Sequence, residues 1–146
     1  MPIVKYPFKP QMVLDQSTKK LEEIVWQPKI PIFIKINDML YPYKIEPHVD
    51  SGATRNLFPA DPLETLGIKL ENSRKRTHIG IGGYELVSYT HEVVILVDKY
   101  SFVTEIDFSR NHKPPLLGVE CFFKFFDYVH FDMNNHQLEL KYSLGK

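Results

Sequence analysis

The chain has 146 residues, 43% of them apolar and 25% charged, the proportions of one ordinary globular domain rather than of a disordered or fibrous polymer. Eighteen basic side chains against eighteen acidic ones give a formal net charge of zero, which removes the bulk electrostatic case for a nucleic-acid partner. The longest apolar runs, such as Val93-Val94-Ile95-Leu96-Val97, fall far short of the ~20 residues a spanning helix needs, so no membrane partner is expected.

Residues 1–10 are interrupted by Pro2, Pro7 and Pro10 and lack the apolar core of a signal peptide, so a cytoplasmic location is expected. The single cysteine, Cys121, cannot form an internal disulfide and agrees with a reducing compartment. Residues 1–29 read as an amino-terminal arm whose only helical promise lies over residues 14–26, and residues 30–146 as the domain proper. From Ile30 the texture turns to β. Residues 30–36, a turn at Asn37-Asp38 and residues 41–49 read as two paired strands.

Asp61-Pro62-Leu63-Glu64 supplies an acid at the cap, proline at the first helical position and a glutamate three residues after the cap; Gly67 supplies the stop. A short helix over residues 62–66 follows. Residues 75–79, the cluster Gly80-Ile81-Gly82-Gly83 and the run 84–97 together predict a hairpin with a glycine tip. Residues 101–108 form another strand. After a polar loop, Leu116-Leu117-Gly118 precedes Val119, Phe122, Phe123 and Phe126 at the spacing of an apolar helix face, which predicts a second short helix. Residues 128–132 and 137–142 make a closing hairpin.

The chemistry concentrates at Val49-Asp50-Ser51-Gly52-Ala53, a β run ending in an acid, a hydroxyl, a glycine and a small residue. An acid at a strand end can point into a cleft, the serine can bond across to a partner loop, and the glycine lets another backbone approach closely. Taken alone, these residues better fit a tight turn in which the Asp50 side chain bonds its own backbone. The histidines at positions 48, 78, 91, 112, 130 and 136 include no close pair at metal-ligand spacing, and with one cysteine neither a metal nor another cofactor is expected. Arg74-Lys75-Arg76-Thr77-His78 is a basic run that could favour acidic substrates and that a solvated hairpin base explains as well. Glu105 and Asp107 could imitate a catalytic pair, but nothing in the sequence places them in a cleft. Cys121, between Gly118 and Phe122-Phe123, reads as a buried structural thiol.

In order, Val49-Asp50-Ser51-Gly52-Ala53, Ile79-Gly80-Ile81-Gly82-Gly83-Tyr84 and Leu116-Leu117-Gly118 resemble the catalytic loop, the flap and the apolar-apolar-glycine segment of the retropepsins, the single-domain aspartic proteases of retroviruses with relatives in bacteria and eukaryotes. The resemblance spans about residues 30–142. Its nearest form is a bacterial type with a Phe-Phe pair and a Phe-Asp strand after Leu-Leu-Gly, here Phe122-Phe123 and Phe131-Asp132.

The resemblance implies an all-β, closed-barrel acid-protease fold with two short helices and one lobe per chain. It implies an aspartic endopeptidase acting on extended polypeptide, a homodimer in which each subunit contributes Asp50. Ser51, Gly52 and Ala53 would shape the loop, Gly80, Ile81, Gly82 and Gly83 would form the flap, and Leu116, Leu117 and Gly118 would support the loop. Two positions depart from the family pattern. Thr54 stands where a second acid is usual, and Val119-Glu120 replaces an arginine followed by Asn or Asp. A catalytically silent peptide-binding or dimerisation module on the same fold is therefore the alternative reading.

Overall fold

The structure is a computed structural model describing residues 3–143. Its contacts divide the chain into two compact units, one of residues 1–30 with 125–146 and one of residues 31–124.

In the first unit, β1 (Ile3–Pro7), β2 (Lys9–Leu14) and β3 (Leu21–Gln27) open the chain. The segments later numbered β12 (Phe126–Asp132) and β13 (Gln137–Tyr142) close it. β13 is the centre of an antiparallel sheet ordered β1-β13-β12. Its alternate residues Leu138, Leu140 and Tyr142 are buried, as the two-residue period of a strand requires. β2 and β3 form a separate two-stranded sheet, so the helical promise of residues 14–26 is not realised. Ile24, Val25 and Trp26 are β-branched or aromatic, and they pair in register with Met12, Gln11 and Pro10 instead. The Trp26 ring stacks on His136 with centroids 4.5 Å apart.

The second unit runs through β4 (Phe33–Ile36), β5 (Met39–Leu40), β6 (His48–Val49), β7 (Leu57–Pro59), α1 (Asp61–Thr65), β8 (Arg74–Ile79), β9 (Glu85–Val97), β10 (Tyr100–Ser109) and β11 (Leu116–Leu117). Its sheet follows the order β5-β4-β9-β10-β7-β11-β6, with β8 also on β9. The path ends at β5 and β6 without pairing them, so the sheet is open rather than closed into the expected barrel. Pro42 and Pro47, which lack a backbone donor, interrupt the run between those two short strands. Residues 41–49 accordingly give one isolated bridge, Ile32 to Ile45, and β6, not a continuous strand.

Asn37 and Asp38 both take positive φ in the β4–β5 turn, the conformation a two-residue hairpin needs. α1 begins one residue earlier than expected. Ala60 is its N-cap without a side-chain bond, and Asp61 lies in the first turn, where its charge favours the helix N-terminus. Gly67, at φ +71, follows the helix and reverses the chain.

The second expected helix does not form. The Val119 and Glu120 amides donate to Ala53 O and Thr54 O, and the Phe122 and Phe123 amides to Gly118 O, leaving only a 3₁₀ turn at Phe123–Phe125. The apolar periodicity of Phe122 and Phe123 serves a packed turn, with Phe122 fully buried. Phe58 and Phe108 meet edge to face in the same core, at 6.2 Å.

Candidate active site

Parallel pairing of β6 with β11 matches His48 to Leu116 and Val49 to Leu117. This registers the Asp50 loop against Leu116-Leu117-Gly118, segments far apart in sequence. The Asp50 amide donates to Leu117 O at 2.9 Å, Val119 N to Ala53 O at 2.9 Å and Glu120 N to Thr54 O at 2.8 Å. The loop is thus held along its whole length by residues 117–120.

Within the loop, the Gly52 amide donates to Asp50 Oδ1 at 2.8 Å and the Ala53 amide to Asp50 O at 3.1 Å. The tight turn that the residues alone allow is therefore present, and it coexists with a strand-end acid. One carboxylate oxygen is fixed by a backbone donor. Asp50 is partly exposed, and Ser51 and Gly52 are exposed.

Gly118 is required by space. A Cβ there would stand 2.5 Å from Arg55 O and 2.8 Å from Ala53 O, closer than such atoms come. Leu117, fully buried, anchors the segment in the core.

Asn56, which sequence reading passed over, and Cys121, which it read as a buried structural thiol, complete the frame. Asn56 is fully buried. Its Oδ1 accepts from Gly118 N at 2.9 Å, and its Nδ2 donates to Glu105 O and Cys121 O at 3.1 and 3.2 Å, so one amide joins the loop, β10 and the turn after Gly118. Cys121, free and buried, contributes its backbone carbonyl, which also accepts from Thr104 Oγ1.

Arg55 makes a fork to Asp107, Nε to Oδ2 at 2.8 Å and Nη2 to Oδ1 at 3.1 Å, and its Nη2 reaches Glu105 Oε1 at 3.0 Å. Burial pushes the Asp107 carboxyl up. The Arg55 fork and the Thr90 hydroxyl outweigh it and hold Asp107 below the ordinary carboxylate range. Asp107 is thereby an ion-pair acceptor for Arg55. An arginine directly after the Asp50 loop was the available signal, but its partner lies on a distant strand.

The glycine hairpin forms as expected. β8 pairs with β9 from Arg74 opposite Thr90 to Ile79 opposite Glu85. Between them lies a 3₁₀ turn, Ile81–Gly83. Gly82 and Gly83 take φ +82 and +80, where a side chain costs ~1–2 kcal/mol. Gly80 N donates to Tyr84 O at 2.8 Å and Gly83 N to Gly80 O at 3.1 Å, closing the tip. Tyr84 is 81% exposed.

Among the described residues, no group of three or more His, Cys, Asp or Glu side chains could hold a metal ion. No helix among them is long and apolar enough to cross a membrane.

The sequence matches no family model and no curated protein. In structure the chain is similar to a retropepsin-like aspartic protease from Rickettsia conorii. The match has 17% identity, covers 96% of this chain and 99% of that one, and has a TM-score of 0.60. It is also similar to the EIAV protease complexed with the inhibitor HBY-793, at 18% identity over 72% of this chain and 88% of that one, with a TM-score of 0.47. The chain has a retropepsin-like fold.

Proposed function

We propose that this chain is an aspartic endopeptidase that hydrolyses extended polypeptides, with an active site built by two copies, each contributing Asp50. The observation that carries the reading is the braced loop. Asp50 stands at the end of β6 with Oδ1 fixed by Gly52 N, and Leu117, Val119 and Glu120 clamp the loop beneath it. The likeness in fold to the Rickettsia conorii aspartic protease supports it.

Peptide hydrolysis by carboxylates needs one ionised and one protonated group. The ionised carboxylate takes a proton from water as its oxygen attacks the scissile carbonyl carbon, while the protonated carboxyl gives its proton to the carbonyl oxygen. Collapse of the tetrahedral intermediate breaks the C–N bond as the carboxyl that took the water proton gives it to the leaving amine and the other carboxylate takes back a hydroxyl proton, restoring one shared proton. Two carboxylates ~3 Å apart cannot both ionise, so one proton is shared between them. Each chain carries one such loop, and a two-fold axis through paired loops supplies the second acid. Ser51 and Gly52, exposed beside Asp50, face the partner in this arrangement. Gly80, Ile81, Gly82 and Gly83 act as a flap whose backbone groups hold the substrate strand and exclude water.

Purified protein incubated with an unfolded polypeptide at mildly acidic pH is expected to cleave it, and Asp50→Asn to abolish cleavage while leaving the fold intact. Cleavage undiminished in that variant would end the reading. One feature favours a second one: Thr54 and Val119 give the loop no charged brace of the family type. A silent peptide-binding module would bind extended polypeptide without cleaving it.

A further inference from the structure

Asp107 lies in β10 with no solvent exposure, and an ionised carboxylate there is stable only where donors meet it. The donors come from three directions. Arg55 reaches it from the segment after the Asp50 loop, at 2.8 and 3.1 Å. Thr90, on β9, donates from Oγ1 to Oδ1 at 2.6 Å. From β8, His78 Nε2 shares a hydrogen bond with Ser88 Oγ at 2.9 Å and lies 3.2 Å from Asp107 Oδ2, and Arg76 Nε donates to Thr90 Oγ1 at 2.8 Å while lying 3.9 Å from Oδ1.

Arg55 alone would neutralise the buried charge. The β8 side chains gathered around it, Arg76 through Thr90 and His78 beside it, have another consequence, because that strand runs straight into the glycine tip. Arg76 and His78 are its partly buried alternate residues. At the other end, the Arg55 backbone abuts Gly118, and the neighbouring carbonyls of Ala53 and Thr54 accept from Val119 and Glu120. A displacement of Asp107 therefore reaches both the base of the hairpin and the hydrogen bonds that hold the Asp50 loop.

We propose that Asp107 is a positioning residue that couples the glycine hairpin to the Asp50 loop: Arg76 and His78 seat β8 on it, and Arg55 transmits that seating to residues 50–55. The kinetic consequences rest on the peptidase reading above; the structural coupling does not.

Amide hydrogen exchange on the full chain tests the coupling directly. In an Arg76→Gln, His78→Gln variant, the amides of Gly52, Ala53, Val119 and Glu120 are expected to exchange about tenfold faster or more. Those of β12 and β13 should be unchanged. Acceleration confined to β8 and β9 would overturn the proposal.

Where the protein cleaves peptide, the same variant is expected to lose about 10- to 100-fold in kcat, the scale set by a small misplacement of reacting groups, with KM within about threefold. The neutral pair Arg55→Met with Asp107→Leu removes both members of the ion pair together, so that only Thr90 Oγ1 and Glu105 lose a hydrogen-bond partner. It should be more stable than Arg55→Met alone without regaining kcat, whereas wild-type kcat in it would refute a positioning role. Full cleavage by Asp50→Asn would dispose of the peptidase reading alone, and the exchange result would still decide the coupling.

Discussion

Gly118 and Arg55 pack backbone against backbone, with Arg55 O and Arg55 C 2.5 and 2.7 Å from the place a Gly118 Cβ would occupy. Neither is the mobile end of a side chain. Gly118→Ala must therefore push the 53–55 segment off residues 118–120, and it is expected to destabilise the fold by about 3 kcal/mol, the upper end for overpacking. Gly82→Ala meets only the Tyr84 ring, at 3.5 Å and beyond, and its cost is about 1 kcal/mol from the positive φ. Urea midpoints of the two variants check the order. Equal destabilisation would mean that the loop does not rest on Gly118.

The contrast also separates what was legible in the sequence from what was not. Local turn chemistry announced itself: Asn37-Asp38, Gly67 and the glycine hairpin formed where their residues take unusual backbone, and the Asp50 turn formed where its carboxylate accepts from the Gly52 amide. Residues whose backbone groups are engaged at long range did not. The spacing of Val119, Phe122, Phe123 and Phe126 fits a helix, but only one turn closes, with Phe122 N and Phe123 N on Gly118 O, before the chain enters β12 at Phe126 and pairs with β13. Asn56 and Asp107 work through partners some fifty residues away, Asn56 to Glu105 and Arg55 to Asp107. No periodicity encodes such pairs. Glu105 and Asp107 look like a possible acid pair in sequence, and only the arginine between them gives their meaning.

Asp107 makes stability depend on acid. Its folded carboxyl titrates below its ordinary value of 3.8, so as pH falls through that value the unfolded chain takes up a proton that the folded chain refuses. The contribution is complete above the unfolded pKa and is lost as pH descends through the folded one. Wild-type protein should lose stability more steeply below about pH 4 than Asp107→Asn, which lacks this proton linkage. Arg55→Met, which strands the carboxylate, is expected to cost about 3–5 kcal/mol near neutrality. Chemical denaturation at several pH values reads both effects, and parallel pH profiles for wild type and Asp107→Asn would contradict the assignment.

Thr54 and Val119 leave the Asp50 loop without the charged brace of the family pattern. Placing one member of that pair alone, as Thr54→Asp or Val119→Arg, would be costly if it buried an unpaired charge. In the single chain Thr54 is exposed and Val119 is 37% exposed, although their segments are hydrogen-bonded side by side. Each single change is therefore expected to shift monomer stability by no more than about 0.5 kcal/mol, and the pair to couple by less than about 1 kcal/mol. A double-mutant cycle in urea measures this. Coupling of several kcal/mol would show that the two side chains are enclosed.

Pairing of two chains is the boldest element of the proposed function, and mixing subunits isolates it. If the active site needs Asp50 from both copies, a dimer of wild type with Asp50→Asn has one acid and cannot share a proton between two. At concentrations that saturate dimerisation, adding an equal amount of the variant and allowing exchange leaves half of the wild-type chains in mixed dimers. Activity should then fall to about one half of its unmixed value. Dilution supplies the converse test, since specific activity should drop as dimers dissociate, in step with the mass seen by light scattering. A chain that completed its own site would be indifferent to both manipulations. Unchanged activity on mixing, with exchange verified by mass, would exclude the two-chain site.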